Sequence, residues 1–140
     1  MKDINDLQLV WKKHKSGANQ TERDFLDFVI DGIFLSEKFG DVVSGIGCFH
    51  QSESEKVIRR LLLEEPADLL NNRRSLYVCP ECGDLGCGAV SIFIEQKENK
   101  IIWRDFAHEY NYSNDIIEYE EIDSFIFDKK EYEKVLICAL

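Results

Sequence analysis

Apolar and polar positions along the chain follow two periods, and their order predicts the elements. Ile4, Leu7, Val10 and Trp11 recur at helical spacing behind Asp3 as a possible N-cap, so residues 3–15 read as an amphipathic helix ending at Ser16–Gly17. FLDFVI (25–30) reads as a strand, Asp31–Gly32 as a turn, and Ile33–Phe34 as a short return strand. Leu35–Phe39 is expected to make one helical turn before Gly40, and DVVSGIGCF (41–49) is a strand candidate weakened by Gly45 and Gly47. The clearest helix follows: Ser52 and Glu55 form a capping box, Val57, Ile58, Leu61 and Leu62 share a face, and Pro66 prevents continuation. After a connector over 66–74 come three strands, Leu76–Cys79, Ala89–Glu95 and Lys100–Phe106. The last two are expected to form an antiparallel hairpin around Glu98–Lys100. Ile116–Tyr119 and Ser124–Phe127 read as short strands. A final helix starts at Asp128 as N-cap with Glu131 three residues on, and carries Tyr132, Val135, Leu136 and Ala139 on one face.

These elements predict an α+β fold. Residues 1–140 are expected to form a single domain, with an antiparallel sheet of four to six strands and three main helices packed against it. A chain of 140 residues is long enough to bury a core of that kind. No apolar run is long enough to cross a bilayer, and the N-terminus lacks a signal-peptide pattern, so a cytoplasmic, non-membrane protein is expected.

Charge narrows the partners. A net charge of −10 argues against nucleic-acid or anionic-membrane binding, which need a basic footprint, and suits a basic protein partner. The acid is concentrated between Asp105 and Asp128, where eight carboxylates occur with no Lys or Arg and with six Phe and Tyr residues interleaved. Tyrosine supplies contact area and carboxylates steer a cationic partner, so Glu109, Tyr110, Tyr112, Asp115, Glu118, Tyr119, Glu120 and Glu121 are the candidate partner-binding residues. Alternation along strands, with aromatics inward and acids in water, produces the same pattern without a partner.

The most constrained stretch is Leu76–Ile94, where Cys79, Cys82 and Cys87 share a loop with Gly83, Gly86 and Gly88. A C-x2-C pair on a tight turn can direct two thiolates at one zinc ion, and Cys87 can supply a third. The fourth ligand must come from elsewhere: His108 is the best placed, with His50, Cys48 and Cys138 as the remaining candidates. Two other readings stay open. The cysteines can simply pack at a glycine-enabled strand crossing. The C-P-E-C pair is also similar to thioredoxin-type redox motifs, although Gly-Asp-Leu-Gly-Cys-Gly cannot begin the helix that activates such a thiol. No phosphate-binding glycine loop, nucleophile elbow or zinc-protease motif occurs, so no catalytic residue is assigned.

YVCPECGDLGCGA, followed by IIWRDFAHEYNY and preceded by RLLLEEPADL, resembles a group of small, uncharacterised bacterial proteins across residues 57–112. That resemblance implies a bacterial cytoplasmic protein and carries over no functional residue. In size, acidity and α+β pattern the chain also resembles the immunity proteins of bacterial toxin systems. The functional expectation is a non-catalytic acidic protein that engages a basic partner, such as a toxin domain. A zinc-binding regulatory or enzymatic module built on Cys79, Cys82 and Cys87 is the alternative.

Overall fold

In the computed structural model, which describes residues 4–14, 23–40, 42–79, 88–110 and 116–140, the N-terminal apolar stripe is a strand rather than a helix. β1 (Leu7–His14) pairs antiparallel with β2 (Arg23–Ile30) in an unbroken register from Leu7↔Ile30 to His14↔Arg23. Spacing in the stripe is helical, and on the strand it is split between faces: Leu7 enters the core while Val10 and Trp11 stand exposed. The deciding term is non-local: β2 buries Phe25, Asp27, Phe28 and Val29, and its backbone donors and acceptors need a strand beside them. β-Branched Val10 and aromatic Trp11 also suit a pleated surface. The expected loop at Ser16–Gly17 lies outside the described residues. β3 (Ile33–Phe34) returns along β2 through Asp31 and Gly32, both at positive φ (53° and 84°), which is the geometry an Asp-Gly hairpin turn requires.

A second antiparallel sheet holds β4 (Arg74–Val78), β5 (Ala89–Lys97), β6 (Lys100–Glu109), β7 (Ile116–Glu118) and β8 (Phe125–Asp128). Its order is β4-β5-β6-β7, with β8 also paired to β6. β8 lies along the first residues of β6 and β7 along the last, so the two share one side of that strand. The expected hairpin is present, its turn confined to Glu98–Asn99 because Lys100 already belongs to β6 and pairs with Lys97. The single expected sheet is thus two sheets of three and five strands. Residues 42–49 do not form the expected strand. They contribute one bridge, Val43↔Val78, closed by two backbone hydrogen bonds of 3.1 and 2.9 Å.

Two α-helices are present among the described residues, not three: α1 (Gln51–Leu61) and α2 (Lys129–Ile137). α1 starts one residue before the expected cap. His50 is the N-cap, its Nδ1 accepting from the Ser52 N–H at 3.2 Å, and Glu55 pairs with Arg59 instead of closing a capping box. α2 starts as predicted, with the Asp128 carboxylate accepting from the Glu131 N–H at 3.1 Å.

One buried cluster joins both sheets and both helices. At its centre the Phe28 ring meets Tyr77 and Trp103 edge-on, at centroid distances of 5.6 and 5.4 Å, and Trp103 Nε1–H donates to the Tyr132 hydroxyl at 3.1 Å. Edge-to-face packing and a satisfied indole N–H make this a dense, specific core. No helix among the described residues is long and apolar enough to cross a membrane.

Candidate functional site

The acidic segment divides between core and surface, and a β-bulge decides where. Between the pairs Ser91↔Ala107 and Phe93↔Arg104, β5 has one residue and β6 has two, Asp105 and Phe106. Asp105 sits at φ 57°, and the extra residue shifts the alternation: Ile101 and Trp103 face the core before the bulge, Phe106 after it. Glu109 therefore falls on the opposite face beside Ser91, where Arg73 covers it.

Glu109 is a correction to the partner-binding set. It is only 6% exposed. Its Oε2 accepts from Arg73 Nε at 3.0 Å and from the Ser91 hydroxyl at 2.5 Å. Arg73 also donates through Nε to Ser91 Oγ, and through Nη2 to the carbonyls of Ser91 and Asp105, so it clamps the bulge as well as the carboxylate. A charge held this way is unavailable to a partner.

The remaining acidic positions behave differently. Glu118, Glu120 and Glu121 are exposed, and Asp123, outside the expected set, is exposed with them. Tyr119 is half-buried, its ring edge-on to Phe39 at 5.0 Å; burial, and after it the charge of Glu121, raise its phenol pKa. Tyr110 is half-buried against the His108 ring at 5.2 Å. Tyr112 and Asp115 lie outside the described residues.

Two further residues belong to this face. Ile116 and Ile117 on β7 are 40% and 65% exposed. Consecutive residues of a strand point to opposite faces, so Ile116 lies on the Glu118 side of β7 and Ile117 on the other, and both are exposed. In combination, a short apolar strand continues directly into a rim of four carboxylates. Among the described residues no Lys or Arg forms an ion pair with any of the four.

Of the candidate metal ligands, Cys82 and Cys87 lie outside the described residues. Cys79 is a half-buried thiol one residue beyond β4, and Val78 pairs with Ala89 while His108 pairs with Val90. Cys79, Gly88 and His108 are thereby brought to one end of the sheet. The His108 ring lies against the bare backbone of Gly88, where a Cβ would stand 2.7 Å from Nε2. No group of three or more potential ligands occurs among the described residues. Of the other ligand candidates, His50 caps α1, Cys48 packs against the core, and Cys138 is exposed at the end of α2.

Two more features lay beyond the sequence reading. Asp27 is fully buried; its Oδ1 accepts from the Tyr77 hydroxyl at 2.5 Å and the Phe28 N–H at 2.8 Å, its Oδ2 from Ser36 at 2.6 Å. Lys12 Nζ donates to the same Ser36 hydroxyl at 3.1 Å. The second feature is a groove of about 450 Å³ beside Trp11, whose indole is 60% exposed and rests on Gly47, with Leu26, Phe49 and Leu140 in its walls. Gly47 has φ 84°, and any Cβ there would meet the indole at 2.6 Å. Comparison with protein-family models, curated proteins and solved structures finds no match for the chain.

Proposed function

We propose that this is a non-catalytic binding protein whose β7 face engages a basic protein partner, with neutralisation of a bacterial toxin domain as its role. The observation that carries this reading is the composition of that strand and its exit: two exposed isoleucines continuing into Glu118, Glu120, Glu121 and Asp123, which form no ion pair among the described residues. An apolar patch rimmed by charge of one sign is the arrangement that combines desolvated contact with steering of an oppositely charged partner. The net charge of −10 extends the attraction beyond the patch.

The test is binding to the co-purifying or genetically adjacent protein, measured for the wild type and for the triple variant Glu118→Lys, Glu120→Lys, Glu121→Lys. Reversal should weaken binding by about 100-fold at low ionic strength. Wild-type affinity should also fall as salt rises from about 50 to about 300 mM. Unchanged affinity in the reversed variant would remove this face from the interaction.

A zinc-binding module is the second reading, favoured by the position of the His108 ring at the sheet end that Cys79 shares. Protein purified without chelators should then carry about one equivalent of zinc, and His108→Ala should lower it. Less than about a tenth of an equivalent would sink this reading, since thiolate-rich sites hold zinc tightly.

A further inference from the structure

We infer that the outer edge of β7 receives an extended basic segment of the partner as an added strand. This rests on the reading of the β7 face given above and specifies how the partner is held. The backbone register supplies the argument. Tyr119 N–H donates to the Phe106 carbonyl at 2.8 Å, and Glu118 stands opposite Ala107. In an antiparallel ladder the hydrogen-bonded positions alternate. Tyr119 and Ile117 therefore direct their N–H and C=O groups toward β6, while Ile116 and Glu118 direct theirs away from it. Among the described residues no group bonds to those four outward donors and acceptors.

The molecule treats its other strand edges differently. β1 carries Lys12 and Lys13, β3 is two residues long, and the outer side of β4 is occupied at Val78 by Val43. Lysines, brevity and a covering segment are the usual protections against unwanted strand pairing. β7 is short, but it has neither lysine, proline nor cover among the described residues, and it exposes both of its isoleucines.

Charge selects the occupant. A second copy added at this edge would bring Glu118 and the Glu120–Glu121 pair against a surface of the same sign, on a chain already at −10. Like charges on facing strands are destabilising. A strand with Lys or Arg opposite Glu118 and a β-branched residue opposite the isoleucines satisfies both the charges and the open backbone groups, by the mode of β-strand addition.

The probe is a synthetic basic peptide of about ten residues with Lys-Val-Val at its centre, which in antiparallel pairing stand opposite Glu118, Ile117 and Ile116 in turn. Its control is the same peptide N-methylated throughout its central residues, which keeps charge and side chains but removes backbone donors. At low ionic strength the parent peptide should shift the amide resonances of Ile116 and Glu118, and the methylated analogue should bind at least about tenfold more weakly. On the protein, Glu118→Pro deletes an outward N–H while sparing the ladder to β6. It should weaken parent-peptide binding well beyond the charge-neutral control Glu118→Gln, with the amide spectrum reporting that each variant is folded. Equal binding of parent and methylated peptides, with Glu118→Pro no worse than Glu118→Gln, would overturn strand addition and leave the acidic face standing. If neither peptide binds at low salt, both readings fall.

Discussion

Glu109 ends β6 and Glu118 ends β7, and the two strands pair with each other through Glu109↔Ile116 and Ala107↔Glu118. Glu109 is closed under Arg73 and Ser91, whereas Glu118 stands in water with three more carboxylates just beyond it. Both belong to one acidic run of sequence. What separates them is the supply of donors from elsewhere in the chain: Arg73 precedes β4 and Ser91 lies on β5, and both converge on the face to which the Asp105–Phe106 bulge turns Glu109. No comparable donor approaches β7 among the described residues. A carboxylate with fixed, buried partners contributes to the fold, and one without them remains available for association. The two regions should therefore respond to mutation in opposite ways.

Arg73→Met gives the largest expected effect on stability. It leaves Glu109 buried without its cation and releases two carbonyls at the bulge. Breaking a buried pair by removing one partner costs about 3–5 kcal/mol. Urea denaturation should register a loss of that size. Adding Glu109→Leu to the same variant should restore much of it, because an apolar pair of similar volume removes the stranded charge. A loss under about 1 kcal/mol in the single variant would mean that Arg73 and Glu109 are held no more firmly than an exposed pair.

Asp27 is a second buried carboxylate, satisfied by neutral donors, and it should be less sensitive to loss of any one of them. Tyr77→Phe removes a single hydroxyl and should cost about 1–3 kcal/mol, measured in the same way. That hydroxyl also sets a pH dependence. Burial first, and then the Asp27 charge and hydrogen bond, push the Tyr77 phenol well above its ordinary value of 10; burial raises Tyr132 as well. A raised pKa means that the folded protein keeps protons which the unfolded chain releases. The resulting stability is intact below about pH 10 and is lost as pH rises from there through the folded-state values, by up to about 1.4 kcal/mol per pH unit for each phenol. Denaturation midpoints between about pH 8 and 11 should show this loss, and Tyr77→Phe should make it shallower.

Elements specified by neighbouring residues were legible in the sequence. FLDFVI, the Asp31–Gly32 turn, the hairpin at Glu98–Asn99 and the Asp128 cap each depend on chemistry within a few positions. The N-terminal stripe has helical spacing at Leu7, Val10 and Trp11, and the non-local pairing with β2 overrides that local period. The capping of α1 was displaced by one element of chemistry, the imidazole of His50 doing what a serine hydroxyl was expected to do. The candidate site follows the same division. Glu118, Glu120 and Glu121 are marked by local charge in the sequence, and the structure leaves them exposed. The burial of Glu109 is not legible locally because it depends on Ser91 and Arg73, 18 and 36 positions away. Ile116 and Ile117 carry no charge signal, and their exposure depends on β7 lying at the sheet edge.

The smallest stability change is expected where the largest change in binding is. Replacing Glu118, Glu120 and Glu121 together by Gln removes three exposed charges that have no ion-pair partner among the described residues. Surface substitutions of that kind stay within about 0.5 kcal/mol each, and relief of mutual repulsion works in the stabilising direction. Association with a basic partner should nevertheless slow, because rim charges act mainly on the encounter rate, while dissociation is governed by contacts such as Ile116 and Ile117 that the variant retains. Stopped-flow association at several salt concentrations distinguishes the two: the variant's on-rate should be lower and fall less steeply with salt than the wild type's. A variant that instead lost several kcal/mol of stability would place these carboxylates with Glu109 as structural groups, and the contrast between the two strands would be gone.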